Sequence, residues 1–158
     1  MALWKESWTA LSSDEGRTWS QPVQVPSIVT GGPKTWGQRT AAGRYAMVYN
    51  QAERGRWPLA VVTSDEGVVF EDMLLINGEI PPQRYFGRAK DVGVQCVRGI
   101  GEGHGAPPGQ DLWVTYSGNK EEMWVSRVPL PIHRRVTGPV HDSFDGVEVG
   151  GRVPEWNL

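Results

Sequence analysis

The segment from Asn77 to Gly93 gathers Glu79, Arg84, Tyr85, Lys90 and Asp91 around the paired prolines Pro81 and Pro82. A carboxylate, a phenol and cations close together are the groups that acid–base chemistry on a charged substrate needs, and a proline-stiffened loop holds such groups in fixed geometry. The plain reading of the same segment is a solvated connector, and for each residue there both readings stand. Two more arginines, Arg39 in Trp36-Gly37-Gln38-Arg39 and Arg98 in Gln95-Cys96-Val97-Arg98, close short strand-like runs. A guanidinium turned inward must pair with a carboxylate of the fold or grip an anionic ligand in forked geometry. Tyr116, at the end of Asp111 to Tyr116, adds a second phenol to the list of reactive groups.

Other chemistries are disfavoured by the same inspection. Cys96 is the single cysteine, so no internal disulfide forms, and its apolar setting in Val94-Gln95-Cys96-Val97 predicts a buried strand residue and not a nucleophile. His104 lies among glycines in a loop, and His133 and His141 lack ligand spacing to any Cys, Asp or His, so neither a zinc site nor any other metal or cofactor is expected. A calcium loop at Asp14 or Asp65 lacks the alternating further oxygens and the closing Glu. The net charge of −2 gives no general attraction to nucleic acid or to an anionic membrane surface. Neither a secretion leader nor an apolar run of membrane-spanning length is expected in the sequence given.

The elements that must position these groups read as strands. Twenty glycines, twelve prolines and eight tryptophans in 158 residues suit many short strands joined by tight turns. The clearest turn is Ser12-Ser13-Asp14-Glu15-Gly16-Arg17-Thr18-Trp19, and a near copy follows as Thr63-Ser64-Asp65-Glu66-Gly67-Val68-Val69-Phe70. In each, the Asp carboxylate is expected to accept backbone N–H groups of its own turn, Gly to take the positive φ, and the aromatic to fold back and pack between strands. Around the second copy, 34–40, 44–49, 57–63 and 68–76 read as four strands, here a to d; 94–100, 111–116 and 123–128 repeat the first three.

Both turns resemble the Asp box, S-x-D-x-G-x-T-W, of the sialidase and BNR-repeat β-propellers, the first at every defined position and the second in degenerate form. The resemblance implies an all-β fold, a partial β-propeller holding two to three four-stranded blades of an expected six. On that basis residues 1–132 are propeller: a partial blade over 1–30, a complete one over 34–76 and another partial one over 93–132. Residues 133–158 are then a linker that resembles the start of a C-terminal β-sandwich domain. Both ends would be internal to a larger parent, whose missing blades would be the chain's partners, and a secreted or periplasmic parent is compatible with the resemblance. Alone, such a chain is expected to be inactive and to pair or aggregate through its open sheet edges.

In the family the active site lies on the face opposite the boxes, where b-to-c loops and d-to-a crossovers meet. Three arginines there clamp the substrate carboxylate, and a Tyr paired with a Glu is the nucleophile. By this resemblance Arg39, Arg84 and Arg98 are candidate substrate-binding residues, and Glu79, Tyr85 and Tyr116 candidate catalytic ones. The expected partner is a glycan, and the leading reading is a glycoside hydrolase acting on terminal acidic or deoxy sugars. A polysaccharide lyase, in which Arg or Lys neutralises a uronate and Tyr takes the neighbouring proton, stays open, as does a non-catalytic propeller that binds glycan or protein.

Overall fold

The computed structural model describes residues 1–100, 111–132 and 145. The histidines His104, His133 and His141, and nearly all of the expected 133–158 linker, lie outside the described residues. Three antiparallel sheets make up the fold. The first joins β1 (Ala2–Leu3), β2 (Trp8–Ala10) and β3 (Val23–Gln24), and the second joins β4 (Trp36–Arg39), β5 (Tyr45–Asn50), β6 (Leu59–Ser64) and β7 (Glu71–Asn77) in sequence order. The third joins β8 (Val94–Gly99), β9 (Leu112–Gly118) and β10 (Glu122–Val128). The described helical structure is one 3₁₀ turn at Lys5–Ser7. The all-β class expected from glycine, proline and alternation is thus the one observed.

The second sheet is covered on both faces, and this decides its composition. Ala46, Val48, Leu59 and Val61 pack with Val94, Val97, Leu112, Val114, Tyr116 and Val128 of the third sheet. On the other face Met47, Tyr49 and Val62 pack with Ile28, with Leu3, Val25 and Phe70 against them. A strand buried on both sides needs no polar alternation, so β5 and β6 carry nearly continuous apolar runs. Stacking of consecutive sheets face to face, with the first strands β4 and β8 in mutual contact, is the arrangement of sialidase-like propeller blades.

Hydroxyls decide how the two related turns differ. In the first, Asp14 accepts the Thr18 N–H at 2.9 Å and the Thr18 hydroxyl at 2.6 Å, and Ser12 accepts the Gly16 N–H at 2.8 Å. Hydrogen bonds from the Thr18 side chain and backbone and from Ser12 hold the Asp14 carboxyl down at about 2. Trp19 donates its indole N–H to the Gly16 carbonyl at 2.9 Å, so it folds over its own turn and stays half exposed instead of packing between strands. In the second turn the Thr18 position is Val69, which has no hydroxyl to offer. Asp65 pairs with Arg44 at 2.7 Å, while Ser64 accepts the Gly67 N–H and Glu66 the Val69 N–H. The expectation that Asp65 caps its own turn is corrected accordingly; Phe70 does pack into the core between sheets.

Cys96 is a second correction, because its side chain is exposed. Gln95 pairs with Ser117 and Arg98 with Thr115, so Cys96 and Val97 together oppose Tyr116 alone. This is a β-bulge with Cys96 at φ 57°. The extra residue breaks the period of two: Val97 turns into the core and Cys96 turns out.

Candidate functional site

Antiparallel order places the β4–β5 and β6–β7 turns at one end of the stack. The β5–β6 loop, the β9–β10 turn and the long β7–β8 crossover lie at the other. The crossover is anchored first at its ends. The Trp57 indole donates to the Gly78 carbonyl at 2.6 Å, Arg56 pairs with Asp91 at 3.0 Å, and the Val94 N–H meets the Arg56 carbonyl at 2.8 Å. Gly93 has φ 113°, and a Cβ there would stand 2.7 Å from the Arg56 carbonyl oxygen, so the close approach requires glycine.

Three successive residues of the β9–β10 turn then grip the crossover along its length. Asn119 donates to the Pro81 carbonyl at 2.7 Å and accepts the Gly93 N–H at 2.8 Å, while its own N–H meets the Gly93 carbonyl. The Lys120 ammonium donates to the Ala89 carbonyl. Glu121 accepts the N–H groups of Arg84 at 3.0 Å and of Tyr85 at 2.7 Å, and the Lys90 ammonium at 3.0 Å. Its side chain is 3% exposed, and such burial raises a carboxyl; the Arg84 and Tyr85 N–H groups and the Lys90 charge outweigh it and bring Glu121 down to about 2.

The candidate residues fall into distinct places. Glu79 and Tyr116 line one cavity of about 210 Å³ with Asn77, Pro81, Val94 and Trp124. Glu79 is exposed there, whereas Tyr116 is 2% exposed and its hydroxyl bonds Ser126 at 2.8 Å and accepts from Asn77 at 3.4 Å. Arg84 pairs with Glu121 at 3.4 Å and Glu122 at 2.9 Å. Tyr85, 64% exposed, has both Arg84 and Lys90 within cation–π range of its ring.

The two strand arginines separate. Arg98 is exposed, stacks over Trp36 at 5.5 Å, and makes no ion pair among the described residues. It stands four residues along β8 from Val94 of the cavity, at most about 13 Å. Arg39 lies at the opposite end of the stack, where it donates to the Gly43 carbonyl and packs over Tyr45, whose ring covers Gly67 of the second turn. Hence Glu79, Arg84, Tyr85 and Tyr116 share the crossover end, Arg98 lies partway along, and Arg39 is remote.

Sequence reasoning missed the β9–β10 turn. Its contacts to the crossover link residues far apart in the chain, and the only local sign was a polar Asn-Lys-Glu run at a strand junction. Among the described residues no group of three His, Cys, Asp or Glu side chains is placed to hold a metal ion.

The chain is similar to a solved structure of a sialidase, with 45% sequence identity across 90% of its residues and a TM-score of 0.74. It spans 13% of that sialidase's length. No family model and no curated protein matches it.

Proposed function

We propose that this chain supplies part of the sugar-binding face of a sialidase-like glycoside hydrolase, acting on a glycan that ends in an acidic sugar. The observation that carries this reading is the 45% identity and TM-score of 0.74 to a sialidase. The crossover end adds chemical support, since it offers an exposed Glu79 lining a cavity and, separately, an exposed Tyr85 with two cations at its ring.

In this reading Arg98 takes the sugar carboxylate. It is an exposed strand arginine without a carboxylate partner among the described residues, lying over the Trp36 ring at 5.5 Å, and a guanidinium suits the forked contact a carboxylate offers. Arg84 is held by Glu121 and Glu122, so it serves the site by shaping the loop as much as by charge. Of the two tyrosines, Tyr85 is open to a substrate, and a carboxylate within hydrogen-bond reach would activate it as a nucleophile. Tyr116 walls the cavity beside Glu79. Arg39, at the far end, takes no part.

Calorimetric titration with N-acetylneuraminic acid and with galactose tests the reading. We expect roughly millimolar affinity for the acidic sugar alone, lost in Arg98→Ala with an unchanged Tm. Equal binding of both sugars, or undiminished binding by Arg98→Ala, contradicts it.

A further inference from the structure

We infer that Asn119, Lys120 and Glu121 form a clasp that holds the β7–β8 crossover in one conformation, which makes Glu121 the principal positioning residue of the proposed sugar site. The inference rests on that proposed site for its purpose but on geometry for its substance. Six crossover residues meet the clasp: Pro81, Arg84, Tyr85, Ala89, Lys90 and Gly93. They span the segment almost from end to end, whereas within the crossover the chain's own hydrogen bonds are few and long, such as Lys90 N–H to the Gly87 carbonyl at 3.3 Å. The loop therefore takes its shape from the neighbouring turn.

Glu121 is central because one buried carboxylate serves several donors at once. Its Oε1 receives the Tyr85 N–H and the Lys90 ammonium, and Oε2 receives the Arg84 N–H and guanidinium. Two consecutive backbone N–H groups on one carboxylate fix the peptide planes on either side of Arg84's Cα, and so the direction in which the Arg84 side chain leaves the chain, together with one of the two planes that flank Tyr85. The cations held in the same place flank the Tyr85 ring at 5.8 and 5.4 Å. Asn119 and Lys120 have φ of 52° and 56°, a left-handed backbone that presents consecutive side chains toward the loop.

Hydrogen exchange followed residue by residue tests the clasp, with the full chain as wild type, Glu121→Gln and Glu121→Asp. Glu121→Gln keeps the shape and removes the charge. In it, exchange of the Arg84 and Tyr85 amides should accelerate at least tenfold, and by clearly more than any acceleration of the β5 and β6 amides. Glu121→Asp, which restores charge with a shorter reach, should recover part of the protection. N-acetylneuraminic acid affinity should fall in Glu121→Gln in step with the lost protection. Unchanged exchange at Arg84 and Tyr85 overturns the inference, as does an equal acceleration throughout β5 and β6, which would mark Glu121 as a general support of the fold. If the wild type binds no acidic sugar, the proposed function fails while the exchange result still decides the clasp.

Discussion

At the scale of single residues, charge is placed where hydrogen bonds can hold it. Glu121 would be a costly carboxylate to bury if left alone; with two backbone N–H groups and an ammonium around it, the ionised form is the favoured one. Its folded value of about 2 lies below the ordinary 4.5, so its contribution is fully present above about pH 4.5 and is lost as pH falls toward 2. The charged groups facing it are the Arg84 guanidinium and the Lys90 ammonium, with Glu122 on Arg84's far side. The Tyr85 amide resonance should therefore stay constant from pH 7 to about pH 4 and shift only near pH 2 to 3. A titration of that amide centred near 4.5 would show that the carboxylate is not engaged as described.

At the scale of elements, turn chemistry and hydrophobic runs made the strands legible. The four strands expected around the second turn appear as β4 to β7 within a few residues, because Gly, Asp and Ser end each run where the chain must reverse. The expectation failed at β8, where the apolar setting of Val94-Gln95-Cys96-Val97 marked Cys96 as a buried strand residue. A bulge inserts one residue without any composition signal, and it sends Val97 inward in place of Cys96. The thiol now occupies a left-handed backbone that glycine tolerates better. Cys96→Gly is expected to raise stability by about 1 kcal/mol, measured as denaturant midpoint at constant m-value. A fall of similar size would mean that Cys96 makes contacts which outweigh its backbone strain.

The candidate site was partly legible for a related reason. Glu79, Arg84 and Tyr85 could be assigned to the crossover because order along the chain and antiparallel alternation fix which end of a sheet a loop occupies. Which side chains meet there depends on contacts between residues far apart in sequence, and no local pattern announces those. So the Glu121 contacts went unseen, and Arg39 was grouped with residues from which a strand's length separates it.

At the scale of the whole molecule, a chain with net charge −2 presents two unlike ends. One end carries the Ser12–Trp19 turn, closed by its own Asp14, and the Thr63–Phe70 turn, whose Asp65 pairs with Arg44; the other carries the clasped crossover. Sheets stacked face to face bury the second sheet on both sides; among the described residues β10 is an edge strand of the third sheet, and its Met123, 75% exposed, Trp124 and Val125 lie open. Such an edge is a template for further strand pairing. The likeness to a sialidase covers 90% of the chain, which spans only 13% of that protein.

The proposed function puts an acidic sugar at the crossover end. Nitrogen-15 NMR of the labelled chain, titrated with N-acetylneuraminic acid, tests it most directly. We expect saturable shifts at residues 77–93, 98 and 116–124, with the 12–19 and 63–70 turns unmoved. Saturable shifts confined to those turns, or none anywhere up to tens of millimolar sugar, would contradict it.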